Sequence, residues 1–142
     1  MRVLAGLVSF GRMLIGIAFI AHPKVMEPGW IGKQARVPGA QVLARAVGAR
    51  DLVVGLGGVQ AVARDDGSAG PWLGAAAICD AVDFGATLAA GRRIPRQQRN
   101  GVLVIAGVLA PLCAALAAGL SGRSRQPAGG ASPPAGAAPG SG

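Results

Sequence analysis

Residues 43–57, LARAVGARDLVVGLG, are built from Ala, Val, Leu and Gly like a membrane segment, yet they include Arg45, Arg50 and Asp51. Followed out to residues 39–63, the apolar segment holds those three charges and nine Leu, Ile, Val or Phe residues. A charge near the centre of a membrane helix costs about 2.5 to 3.5 kcal/mol, and each large apolar residue returns about 0.3 to 0.6 kcal/mol. The segment therefore faces a cost of about 8 to 10 kcal/mol against a gain of about 4 kcal/mol. It enters lipid only if other parts of the chain neutralise its charges, and the fold follows from where those partners lie.

The whole chain has the composition that this reading requires. Of its 142 residues 51% are apolar and only 14% charged, against roughly a quarter charged in soluble domains. The net charge of +8 would point to nucleic acid if the basic residues made a stripe on a polar surface. Instead they fall in short connections, as Arg92, Arg93, Arg96 and Arg99 do in GRRIPRQQRN. With no zinc-ligand, helix-turn-helix or RNA-reader pattern beside them, they read as juxtamembrane anchors, and the expected partner is the lipid bilayer, not nucleic acid. Cys79 and Cys113 lie in apolar segments, where a free cysteine behaves as a small buried hydrophobe. His22 stands alone beside Pro23. That inventory supplies no metal centre and no nucleophilic triad, so no cofactor and no catalytic residue are expected.

Apolar runs near the length of about 20 residues that a bilayer demands fall at residues 3–21, 39–63, 71–90 and 101–120. The connections between them, HPKVMEPGWIGKQARVP, RDDGSAG and GRRIPRQQRN, are rich in Pro, Gly and charge, as breaks between helices are. The first run has a basic start at Arg2 but is interrupted by Arg12 and lacks a small-x-small cleavage pattern, so it reads as a retained helix and not a signal peptide. Residues 121–142, SGRSRQPAGGASPPAGAAPGSG, offer no large apolar side chain to bury, and a disordered tail is expected. Trp30 and Trp72 flank segments at positions suited to the interfacial aromatic belts. The first and third connections share one face and carry Lys24, Lys33, Arg36 and the four arginines of GRRIPRQQRN. The terminal face has Arg2, Arg64, Arg123 and Arg125 with Asp65 and Asp66. The positive-inside rule then places both termini outside the cytoplasm of a bacterial plasma membrane.

Helical spacing locates the partners. In the first segment Val3, Leu7, Phe10, Leu14 and Ile17 share a bulky face, and Ala5, Ser9, Arg12 and Gly16 the opposite one. In the second, Ala44, Gly48, Asp51, Gly55, Gly58 and Val62 form a seam of small residues around Asp51. The third repeats the spacing with Leu73, Ala76, Asp80, Asp83, Thr87 and Ala90. In the fourth, Gly107, Ala110, Ala114 and Ala117 line one side, and Ile105, Leu109, Leu112, Leu116 and Leu120 the other. Close approach at Gly16, Gly48, Gly55 and Gly58 is the expected packing device; GLGG lacks the lysine and the strand-to-helix context of a phosphate loop. The expected fold is all-α: a transmembrane four-helix bundle over residues 1–120.

Arg12, Arg50, Asp51, Asp80 and Asp83 lie near the middles of their segments, hence near one plane. With Arg45 they make three arginines and three aspartates, a formally neutral set such as buried charge requires. The expected pairs are Arg12 with Asp51 or Asp80, and Arg50 with Asp83. Arg45 points elsewhere on its helix and, being nearer the first connection, can snorkel to that interface.

Arg12, ARAVGARDLVVGLG and DAVD together resemble a family of small actinobacterial integral membrane proteins of unknown function with four spans. The resemblance covers roughly residues 11–116 and implies membrane location and the bundle, with no activity attached. Three functions then compete. The buried Arg/Asp cluster can be a structural lock in an accessory component of a larger membrane complex or of a homodimer, and the small-residue seams speak for it by leaving no room for a cavity. It can serve a proton-coupled or small-solute transporter, because intramembrane ionisable groups mark such paths. As a third reading, Asp80 or Asp83 can act as acid or base in an enzyme on a lipid or quinone.

Overall fold

The computed structural model describes residues 1–25, 36–65 and 67–124, and all regular structure among them is helical. Four long helices follow in order: α1 (Arg2–Ala21), α2 (Pro38–Arg64), α3 (Ala69–Ala90) and α4 (Arg96–Ser124). At about 1.5 Å per residue each spans about 30 Å or more. α1, α3 together with the turn after it, and α4 are long and apolar enough to cross a membrane. α2, which carries Arg45, Arg50, Asp51 and Arg64, is not among them.

Local chemistry accounts for the helix ends. Pro38 occupies the first turn of α2, where a missing N–H costs nothing. α2 stops at Asp65, whose φ of 56° is left-handed, and α3 stops at Gly91 with φ of 54°, a conformation that glycine adopts without strain. α4 starts earlier than the sequence led us to expect. Arg96 and Arg99 belong to its first turn, with the Arg99 N–H donating to the Pro95 carbonyl at 3.0 Å, so half of GRRIPRQQRN is helix and not connection. α4 also runs past residue 120 to Ser124, and a Cβ on Gly70 would collide with the Ser121 hydroxyl. The expected tail thus starts at least four residues late, and its remainder lies outside the described residues, as do Trp30 and Lys33.

The helices form two antiparallel hairpins, α1 with α2 and α3 with α4, joined along α2 and α3. Glycine sets the distances inside the first hairpin. A Cβ on Gly48 would lie 2.8 Å from the Gly16 carbonyl oxygen, and one on Gly55 would lie 2.5 Å from the Met13 nitrogen. Only backbones without side chains approach this closely. Gly58 faces Ser9 of α1, whereas a Cβ on Gly57 would sit 2.5 Å from the Trp72 ring of α3. GLGG therefore serves two neighbours at once, and Trp72 is packed on Gly57 and the apolar cluster beside it.

That cluster closes one end of the bundle. Ala5, Ala61, Ala69, Leu73, Leu116 and Leu120 are buried together where α1 begins, α2 meets α3 and α4 finishes. The packing face of α4 differs from the one expected. Ala106, Cys113, Leu116 and Leu120 are buried and Ala114 is exposed, because the alanines of α1, α2 and α3 leave space that leucines of α4 fill. Along the outside, Val3, Leu7, Phe10, Leu14 and Ile17 of α1 are exposed, as are Ile78 and Val82 of α3 and Val104, Ile105 and Val108 of α4.

Candidate functional site

Between the two glycine crossings of α1 and α2, Arg12 turns inward and is 7% exposed. Its Nη1 donates to Asp51 Oδ1 at 2.9 Å and its Nη2 to Asp80 Oδ2 at 2.5 Å. One guanidinium on α1 thus holds a carboxylate on each of α2 and α3. Arg50 makes the second junction: Nη1 and Nη2 donate to the two oxygens of Asp83 at 3.1 and 2.8 Å, while Nε donates to Asp51 Oδ1 at 3.1 Å. The five side chains form one chain of contacts, Asp83 to Arg50 to Asp51 to Arg12 to Asp80. Asp51 Oδ1 accepts from both arginines and so keeps a partner if either leaves, whereas Asp80 depends on Arg12.

The fork of Arg50 on Asp83 is bidentate, a geometry that the planar guanidinium favours and lysine cannot reproduce. It also resolves an angular problem. Arg50 is about 100° round the helix from Asp51, yet the long side chain bends back far enough to touch its neighbour while reaching α3. Arg45 is elsewhere: it is exposed on α2 and makes no ion pair among the described residues. The neutral set of six expected from the sequence is therefore a set of five, two guanidinium groups with three carboxylates, because the turn between Arg45 and Arg50 puts the former on another face. Gly16, Gly48, Gly55 and Gly58 all sit at helix contacts flanking this set.

Cys113, expected from the sequence to be a small buried hydrophobe, is completely buried on α4, and its place beside Arg12 and Asp80 is what the sequence did not indicate. Its place on the stripe with Ala106 and Leu116 was the available signal. Thr87 lies on the same face of α3 as the aspartates but spends its hydroxyl on its own helix, donating to the Asp83 carbonyl at 2.7 Å.

The network is not sealed. α1 and α4 make few direct contacts, and between them runs a groove of about 510 Å³. Leu7, Ile15 and Phe19 of α1 make one wall, Val102, Ile105 and Leu109 of α4 the other, and all five charged residues line the groove. The small residues of the helix seams gave no sign of a cavity. Those residues close the faces within each hairpin, whereas bulky side chains line the two walls between α1 and α4.

Comparison with known protein families, curated proteins and solved structures finds no match. The chemistry of the site rests on its own geometry. Among the described residues no group of three or more His, Cys, Asp or Glu side chains is arranged to hold a metal ion. What the arrangement provides is an ionic network of two guanidinium groups and three carboxylates at mid-height of the helices, lining an apolar groove.

Proposed function

We propose that this is a multi-pass protein of a bacterial plasma membrane, of the same kind as the four-span family it resembles, in which the Arg/Asp network locks two helical hairpins into one bundle for a structural or accessory role. The observation that carries the proposal is the reach of Arg12 from α1 to carboxylates on both α2 and α3, with Arg50 joining α2 to α3 a second time. In this reading α2 is the fourth span. Arg50 and Asp51 are carried across in ion pairs, Arg45 reaches for the interface, and α1 covers the glycine face, so the segment enters lipid as part of a hairpin. The basic connections lie in the cytoplasm and both termini outside it. The exposed apolar residues along the outside of α1, α3 and α4 suit acyl chains or the helices of a larger complex or second copy.

The experiment is fractionation followed by substitution. The protein is expected to stay with membranes through an alkaline wash, and Arg12→Ala to lower the yield of folded protein. Release by the wash would refute the membrane placement; an unchanged folded yield would refute the lock.

The groove favours a second reading, transport of a small solute coupled to protons, because a cavity lined by ionisable groups at mid-membrane marks such paths. Liposomes containing the protein and a pH-sensitive dye test it, and flux equal to that of empty vesicles counts against it.

A further inference from the structure

We infer that the groove between α1 and α4 is a binding site for a lipophilic organic monocation, an amine or onium group carried on an apolar body. This rests on the membrane reading above and adds to it the ligand class of the same site. The network holds two guanidinium groups and three carboxylates, which leaves one negative charge in excess. Arg45, which would balance it, is exposed on another face of α2 and does not join. A single unbalanced charge in a medium of low dielectric is costly and is cancelled either by a proton or by a cation.

The shape of the site selects among cations. A volume of about 510 Å³ falls in the range of small-molecule sites, roughly 300 to 1,000 Å³. A hydrated metal ion would gain nothing from the aliphatic and aromatic walls made by Ile15, Phe19, Ile105 and Leu109. An organic cation would bury its body against them and bring its charge to the floor. The arginines are engaged with aspartates, so an anionic guest would have to displace a carboxylate from a guanidinium and would add a second negative charge.

The charged and titratable groups that face the groove or flank its floor are Arg12 from α1, Arg50 and Asp51 from α2, Asp80 and Asp83 from α3, and Cys113 from α4 beside Arg12. Cation and proton are alternative ways to cancel the same excess, so they compete. Binding therefore weakens as pH falls.

The full chain purified in detergent is titrated with tetraphenylphosphonium and, separately, with tetraphenylborate, which has nearly the same shape and the opposite charge. Saturable binding of the phosphonium is expected, about tenfold or more tighter than that of the borate, a difference of about 1.4 kcal/mol. Asp80→Asn, which removes the excess charge, is expected to weaken it by about tenfold. Gly11→Leu provides a second variant that leaves the fold alone. Gly11 lines the groove and a Cβ there meets nothing within 4 Å, so the leucine occupies the site and binding is lost. Equal affinity for the two ions, or full phosphonium binding by Gly11→Leu, overturns the proposal. The lock is read separately from the unfolding of the ligand-free Arg12 variant described below, so one idea can fail without the other.

Discussion

Replacing Arg12 by Met gives the sharpest measure of what the network contributes to stability. Methionine keeps an unbranched, flexible stem, so the packing of the stem is largely retained and the loss is that of the guanidinium. In the native protein the guanidinium serves Asp51 at 2.9 Å and Asp80 at 2.5 Å, with Arg12, Asp51 and Asp80 all under 8% exposed. Breaking one buried pair costs about 3 to 5 kcal/mol, because the partner is left charged without compensation. Asp51 keeps Arg50, at 3.1 Å, but Asp80 has no second arginine in the network. The expected loss is therefore about one full pair, about 3 to 5 kcal/mol. A triple variant, Arg12→Met with Asp51→Asn and Asp80→Asn, leaves Arg50 and Asp83 as a balanced pair. Replacement of a whole buried ionic set by apolar groups is often neutral or stabilising; asparagine strands no charge but keeps polar atoms to satisfy, so the triple is expected to recover about half or more of the loss. Both are read from the midpoint of unfolding by SDS in mixed micelles, with reaction of the completely buried Cys113 as reporter. A single variant that unfolds at the parental midpoint, or a triple as unstable as the single, would refute the argument.

Glycine substitutions separate close packing from mere flexibility by the same unfolding assay. Gly55→Ala, whose Cβ would lie 2.5 Å from the Met13 nitrogen, is expected to cost about 1 to 3 kcal/mol by overpacking. Gly85→Ala, on α3 with nothing within 4 Å of its Cβ, is expected to stabilise by about 0.5 to 1 kcal/mol through helix propensity. Arg45→Gln is expected to change the midpoint by less than about 0.5 kcal/mol, since Arg45 is exposed and outside the network; a loss as large as that of Arg12→Met would return Arg45 to it. In the folded protein a maleimide is expected to label the half-buried Cys79 well before Cys113, and equal rates would mean that α4 does not cover Arg12.

Much of this protein is legible along the chain because helical periodicity and the cost of buried charge are local properties. Ala5, Ser9, Arg12 and Gly16 on α1, and Ala44, Gly48, Asp51, Gly55 and Gly58 on α2, recur at steps of three and four, and each is buried. Opposite charges in otherwise apolar segments required partners, and only arginines and aspartates were present to supply them. α4 was harder to read. Without a charge to mark its inner side, its leucine and alanine stripes are equally apolar, and the choice between them depends on the space that the other three helices leave.

Tertiary structure alone decided three matters. Which arginine meets which aspartate depends on how far each side chain extends across a helix crossing, and Arg12 proved long enough for two. Membership of the network depends on rotation about the α2 axis, which separates Arg45 from Arg50 and leaves an excess carboxylate. The groove depends on the absence of a close seam between α1 and α4, two helices at opposite ends of the bundle's sequence. Spacing within one helix records which residues share a face; it carries no information about the distance to a face on another helix, and the cavity is made of that distance.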